Sequence, residues 1–347
     1  MTEGPIKVAN PESYWQMVWR QFRKRSLNLV GLSIIASFFS LAIFADFLAS
    51  DLPLVLHRGG QTWILPNLTH PPELRLENNL KLLSGGLRRG DWALMPPIPY
   101  GPREDIMDLR TSRLTPPDRL HPLGTDDRGR DVAARMIHGT RVTLAVGILA
   151  VALYVTIGII LGSTAGYFGG RADLIISRVT EIFLSFPSLF LILTIQALLP
   201  TTAGLTSVLQ LVMVLGLTSW THVSRLVRAE VLRAKNLDYV QAARSQGLSD
   251  IRIIFRYVLP NTLGPVLVAA TFGIAGAVLV ESSLSFLGFG VQPPMASWGE
   301  LLQQARESKR AWLVIYPGLA VFLSVTAYNL AGEGLRDAVD PRLRGVG

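Results

Sequence analysis

Cysteine is absent from this 347-residue chain. There is therefore no disulfide framework, no thiolate metal site and no cysteine nucleophile, and redox chemistry says nothing about the compartment. Charge is scarce as well: Asp, Glu, Lys and Arg make up 17% of the residues against 49% hydrophobic, and mean hydropathy is positive. A soluble chain of this length carries more charge, so the composition is that of a membrane protein. None of the five lysines follows a glycine, so there is no Gly-Lys-Ser/Thr phosphate loop. Paired catalytic carboxylates, a histidine-rich cluster and a Gly-x-Ser-x-Gly elbow are also missing, which sets aside a membrane-embedded enzyme. His121 and His138 lie 17 residues apart without acidic or cysteine ligands at metal spacing, so they do not make a zinc site. The net charge of +8 does not point to nucleic acid, because the basic residues flank apolar runs instead of forming one run interleaved with aromatics.

Long apolar runs are what the chain does have. A helix crossing the hydrocarbon core needs roughly 20 apolar residues at about 1.5 Å rise each. Six runs qualify: 27–48, 142–165, 174–199, 203–223, 262–280 and 312–332. The second, fourth, fifth and sixth contain no Asp, Glu, Lys or Arg. The expected fold is an all-α membrane protein of six transmembrane helices, with a mixed external subdomain between the first and second. No small-residue cleavage site follows the first run, so 1–26 reads as a leader to an uncleaved anchor.

Lysine and arginine near span ends set the expected orientation. The leader carries Arg20, Arg23, Lys24 and Arg25, and the segment 222–258 carries Arg225, Arg228, Arg233, Lys235, Arg244, Arg252 and Arg256. The connection 200–202 has no charge. Both termini (the tail being 333–347) and the basic segment are then cytoplasmic. The external connection 281–311, with Arg306, Lys309 and Arg310, is an exception to the rule. The loop 49–140 is external. Pro71, Pro72, Pro96, Pro97, Pro99, Pro116 and Pro117 exclude long helices there. Residues 62–65 and 92–94 suit strands, and Trp63, Trp92, Ile98 and Tyr100 supply anchors for an ordered subdomain. Its end, 130–137, reads as a short amphipathic helix with Asp131 and Arg135 paired four residues apart.

The most informative stretch lies at 224–260, between the fourth and fifth spans: Asn236-Leu-Asp-Tyr-Val-Gln-Ala-Ala-Arg-Ser-Gln-Gly247, continuing to Tyr257-Val-Leu-Pro260. It reads as two short helices and a turn. Asp238 suits an N-cap with Gln241 at capping-box spacing, and Gly247 suits the left-handed residue that ends a helix. Ser249 can cap the next helix with Asp250 at its positive end, and Pro260 limits it. A compact helix bearing Ala242 and Ala243, projecting from the membrane, is shaped to dock in a groove of another protein. The alternative is an ordinary solvated hairpin holding two spans together.

Gln241-Ala-Ala, Gly247 beyond three intervening residues, and Leu259-Pro260 resemble the cytoplasmic coupling motif of ABC importer permeases. That motif usually begins with Glu. Gln241 departs from it, as does Tyr257 where an aliphatic residue is common. His121-Pro-Leu-Gly-Thr-Asp126, Gly129-Arg-Asp131 and Gly139-Thr-Arg141 resemble the external approach to the second span in permeases of the dipeptide/oligopeptide (OppC/DppC) family. Ser283-Leu-Ser-Phe-Leu-Gly-Phe-Gly290, Trp298-Gly-Glu300 and Arg336-Asp-Ala-Val-Asp-Pro341 resemble the C-terminal third of the same family. The long loop, with Asp51-Leu-Pro-Leu-Val55 and 92–101, is similar to the long-loop YejE-like subgroup.

The resemblance implies a type I ABC importer permease fold in a bacterial inner membrane. It implies an external binding protein that delivers a peptide, a second permease subunit of different sequence and two cytoplasmic ATP-binding subunits, with no cofactor, metal or nucleic acid. The residues that it assigns to ATPase coupling are Asp238, Tyr239, Gln241, Ala242, Ala243, Gly247, Leu259 and Pro260. Its external motif comprises Gly124, Thr125, Asp126, Gly129, Arg130 and Asp131.

Some intramembrane residues remain. Glu281, with Ser282 and Ser285, stands at the outer end of the fifth span and either lines a path or gate or sits wet at the interface. Arg178 and Glu181, three apart in the third span, suit a self-satisfied pair. Pro187 and Pro317 are expected to kink their spans. Gly162, Gly166, Gly169 and Gly170 suggest close helix packing. A self-sufficient secondary transporter is the alternative function. It needs coupling carboxylates or broken helices, usually duplicated between halves, and no internal repeat is found.

Overall fold

The computed structural model describes residues 14–75, 77–103 and 114–339. Apolar runs too long for any soluble helix dictate its plan. From the N-terminus, α1 (Tyr14–Phe22) precedes the first span, α2 (Ser26–Ile43). After the loop come α3 (Val132–Phe168), then α4 (Gly170–Leu184) with α5 (Ser188–Leu198), and α6 (Leu205–Thr218) with α7 (Trp220–Ala234). The chain continues through α8 (Asp238–Ser245), α9 (Asp250–Ile253), α10 (Leu259–Leu287), α11 (Trp298–Ser308) and α12 (Ala311–Val339). Among the described residues, four helical stretches are long and apolar enough to cross a membrane, and six if the pairs α4–α5 and α6–α7, bent by 86° and 40°, each count as one span.

The apolar run expected as the third span is thus divided into two helices, not merely kinked. Pro187 sits in the break as the residue before α5, where its missing N–H costs no helical hydrogen bond. Pro317 stays inside a continuous α12.

α3 is the axis. At 1.5 Å per residue its 37 residues reach about 55 Å, well beyond a hydrocarbon core of roughly 30 Å. The stretch expected as a separate amphipathic helix before the second span is the first part of this helix. It is not amphipathic, because Val132, Ala133, Ala134 and Arg135 are all buried.

Along its other half, α3 packs on α7 through Gly158, Gly162 and Gly166, four residues apart. A Cβ at Gly158 would stand 2.7 Å from Val223, one at Gly166 2.8 Å from the Arg228 carbonyl, and one at Gly162 would strike the Ser224 carbonyl. Only hydrogen lets the two backbones approach this closely. Of the four glycines expected to pack, Gly162 and Gly166 do. Gly169 and Gly170 instead form the turn into α4 with nothing near them.

At the chain's ends, Val18 and Phe22 of α1 pack against Ala338 of α12, and Arg25 pairs with Asp337 at 2.7 Å.

The loop after α2 folds into a three-stranded antiparallel sheet of order β2-β1-β3, with β1 Val55–Arg58, β2 Gln61–Ile64 and β3 Trp92–Leu94. Leu52, Leu56, Leu74 and Leu82 form its core, with Trp63 packed against them. Of the expected anchors, Tyr100 is buried and joins Ile98 against Ala49 and Ala134, whereas Trp92 is exposed. The Asp91 carboxylate accepts the Gly59 and Arg88 N–H groups (3.0 and 2.9 Å), and these bonds hold its pKa below the usual value.

Candidate functional site

The stretch singled out in sequence, 236–260, lies at the C-terminal end of α3. Three side chains pin it there. The Tyr167 hydroxyl donates to Asp250 (2.7 Å), the Lys235 ammonium donates to the Gly166 carbonyl (2.9 Å), and Arg244 lies over the Tyr167 ring. Val240 and Ala243 turn inward onto Ile253, Ile254 and Val258, so α8 sits on an apolar seat. Its other face, Asp238, Tyr239, Gln241 and Ala242, is exposed. The two alanines therefore divide: Ala242 projects and Ala243 does not.

The local geometry corrects the capping expectation. α8 begins at Asp238, with Leu237 as its cap residue and no side-chain cap. Gln241 does not close a capping box but donates to the Lys235 carbonyl (3.1 Å), and the Tyr239 hydroxyl accepts from Asn261 (3.0 Å). Gly247 does adopt the left-handed conformation, φ +73°, that ends the helix. Ser249 occupies the cap position before α9, without a side-chain cap bond.

Pro260 does not stop the following helix. A π turn over Ile254–Val258 runs into α10, and this widened turn places the proline in the first turn of α10, where it needs no N–H. Leu259 is buried in the seat, while Pro260 is exposed. Beside the exposed face stand Leu237, Ile251 and Phe255, 44%, 68% and 67% exposed, which the sequence reading did not single out. Ile251 and Phe255 stand four apart, but the neighbouring Ile253, Ile254 and Val258 are equally apolar, so sequence alone does not separate the exposed residues from the buried ones.

The external motif folds at the opposite end of α3, into a buried ionic lattice. Asp126 accepts from Arg130 Nε (2.7 Å) and from the Arg128 and Arg130 N–H groups (3.0 and 2.8 Å), and stands 3.3 Å from Arg135 Nε. Arg135 also pairs with Glu300 of α11, which accepts from Gln304 (2.6 Å). Asp131 caps α3 through the Ala134 N–H (2.8 Å) and bonds His121 (2.8 Å), so the expected Asp131–Arg135 pair is not formed. Thr125 holds the Thr115 N–H and, through its carbonyl, the Trp312 indole (2.7 and 3.1 Å). Gly124 lies against Trp312, and Gly129 turns the chain with φ +80°. Burial, then the neighbouring Asp126 carboxylate, pushes the Asp127 carboxyl above its ordinary pKa.

Glu281 does not sit wet at an interface. It is fully buried, accepting from Ser285 (2.9 Å) and Ser282 (3.3 Å), both themselves buried, and these two serines lie against Gly299. The Arg178–Glu181 pair forms at 2.6 Å, with both side chains exposed. His138 bonds the Ala49 carbonyl (2.8 Å).

A family model described as "Binding-protein-dependent transport system inner membrane component" matches residues 158–345, and one described as "N-terminal TM domain of oligopeptide transport permease C" matches residues 13–67. The dipeptide transport system permease protein DppC of Alkalihalophilus pseudofirmus is 33% identical over 99% of this chain and 97% of its own length. The di/tripeptide transport system permease protein DppC of Pseudomonas aeruginosa is 42% identical over 71% of this chain and 81% of its own. The oligopeptide transport system permease protein OppC of Bacillus subtilis is 35% identical over 71% of this chain and 81% of its own. Among solved structures, the MetNI methionine ABC transporter in inward-facing conformations aligns with 59% of this chain and 95% of the matched chain, at TM-score 0.47 and 20% identity.

Proposed function

The chain belongs to the family of binding-protein-dependent transport system inner membrane components, and from that premise we propose that it forms half of the membrane path of an ATP-driven peptide importer. The observation that carries the reading is the mounting of α8. A small exposed face, Asp238, Gln241 and Ala242 with Leu237, Ile251 and Phe255 beside it, stands on a buried apolar seat pinned to α3. An element mounted rigidly on a span can convert movement of a docked partner into movement of that span. One of two cytoplasmic ATP-binding subunits docks there, and the pair supplies the hydrolysis for which this chain has no phosphate loop. A second permease of different sequence completes the path, and an external binding protein delivers cargo at the opposite end of α3.

Peptide cargo is supported by the names of the relatives. Cytoplasmic termini are supported by the basic leader and by the seven Arg and Lys residues of 222–258. A bacterial inner membrane is supported by the source organisms of those relatives.

The test is purification of the chain from its native membrane in mild detergent, with mass spectrometry of what co-elutes. Co-elution of phosphate-loop ATPases and a second permease is the expected result. An isolated chain that still imports peptides, driven by a proton gradient, would overturn the reading in favour of a secondary transporter.

A further inference from the structure

Between α10 and α11 the chain runs as an uncharged strap, residues 288–297. Its two edges are held by contacts of opposite kinds. On one edge the ties converge on Glu281. Ser285 Oγ accepts the Val291 N–H (3.1 Å) and donates to the Glu281 carboxyl (2.9 Å). Thr143 Oγ1 of α3 accepts the Trp298 N–H (3.3 Å), and Ser297 Oγ accepts the Glu300 N–H (3.1 Å). The Ser297 and Thr143 hydroxyls also reach the carboxyl, and Ser282 completes a shell made of hydroxyls. Three of these hydroxyls thus take a backbone N–H from the strap or the start of α11 and turn their own hydrogen toward Glu281. All of these groups are buried, so water has no access to replace the bonds.

The other edge lies on the tips of α5 and α6, and it is loose. Among the described residues two hydrogen bonds cross it, Gln292 N–H to Ser207 Oγ (3.1 Å) and Gly204 N–H to the Pro293 carbonyl, long at 3.4 Å. The seam continues as neutral amides and hydroxyls: Thr202 donates to Gln210 and Gln210 to Gln196 (2.8 and 2.9 Å), lining a small polar cavity with Gln292. Such neutral groups exchange protein partners for water at little net cost. When the two sides separate, this seam yields first, because the shell around Glu281 has no such substitute.

We propose that Glu281 is a positioning residue that ties the strap to α3 and α10 as one rigid body, so that the external end of the path opens along the amide seam between the strap and the α5–α6 hairpin. The proposal rests on the importer reading and deepens it by naming where the chain parts and which buried group holds the other edge.

The test uses the complex in proteoliposomes, with its binding protein and with partner subunits freed of cysteine. Ser207→Cys/Gln292→Cys puts one thiol on each side of the seam of a chain that has no other. Bridging them with a short, reducible bis-methanethiosulfonate is expected to cut peptide import at least tenfold, and dithiothreitol to return the same sample to its rate before bridging. Import by the bridged form at more than half its reduced rate overturns the proposal. Glu281→Ala is expected to lower the peptide imported per ATP hydrolysed at least fivefold, and Glu281→Gln, which keeps shape and an acceptor, to bring that ratio within twofold of wild type. A purely structural role would lower import and hydrolysis together at an unchanged ratio, and that result removes the assignment of Glu281. Should Glu281→Ala fail to fold, Ser285→Ala, which deletes one hydroxyl of the shell, is read by the same ratio. If the wild type imports no peptide, the importer reading falls and the gate with it; import that ignores the bridge leaves that reading standing and removes only the gate.

Discussion

Glu300 shows what single residues decide here. It lies between Arg130 and Arg135 in a lattice with almost no solvent access, so its removal leaves two buried guanidinium groups to share the single Asp126 carboxylate. Breaking one side of a buried ion pair costs about 3–5 kcal/mol, whereas replacing both sides by apolar groups often costs little. Glu300→Ala is therefore expected to lower stability by about that amount in thermal unfolding of the detergent-solubilised chain, and Arg135→Met/Glu300→Leu to cost less than the single change.

Asp127 works in the opposite sense, because its carboxyl is raised above the ordinary value by burial. Its contribution to stability is complete below the unfolded pKa and is lost as pH rises through the higher native one. Asp127→Asn is expected to flatten the pH dependence of unfolding above the usual carboxylate range; an unchanged profile would refute this. The lattice was legible only as a motif. Sequence spacing suggested Asp131 with Arg135, but Glu300 lies 165 residues from Arg135, and only the packing of α11 on α3 brings them together.

For the elements, the face that each helix turns inward is what matters. α8 buries Ala243 and presents Ala242. Ala242→Glu is expected to abolish peptide-stimulated ATPase activity of the reconstituted complex while leaving the melting curve of the chain intact. Ala243→Glu would place a charge on the apolar seat and lower the melting temperature itself. Identical behaviour of the two variants would show that the seat is wrongly drawn.

The α3–α7 contact gives a second contrast. Gly162→Leu drives a side chain into the Ser224 carbonyl, an overpacking expected to cost about 3 kcal/mol or more in unfolding. Gly276→Ala in α10 meets nothing within 4 Å and is expected to be neutral or stabilising by up to about 1 kcal/mol in the isolated chain. The repeat of small residues was visible in the sequence. Which of them meet a partner helix was not, because Gly169 and Gly170 continue the pattern but belong to a turn.

At the scale of the whole molecule, α8 and the ionic lattice stand at opposite ends of one helix about 55 Å long. Because the native chain has no cysteine, a single introduced thiol has no background. Gln246→Cys and Trp92→Cys are both at exposed positions. In intact cells, a membrane-impermeant maleimide is expected to label the Trp92 variant only, and in inside-out vesicles the Gln246 variant only. The reverse pattern would invert the proposed orientation and, with it, the assignment of the ATPase face.

The sequence by itself determined the membrane class, the approximate spans, the left-handed stop at Gly247 and the strands of the loop. Each depends on local composition or on conformational preference within a few residues: hydrocarbon-length apolar runs, a glycine free to take positive φ, β-forming residues between prolines. Tertiary structure alone decided the 86° break beside Pro187, the burial of Glu281 with Ser282 and Ser285, and the division between Ala242 and Ala243. These depend on which distant backbone arrives opposite each side chain. Helical periodicity marks a face as apolar or small, but the same pattern serves a lipid contact, a helix partner or a turn until packing selects one.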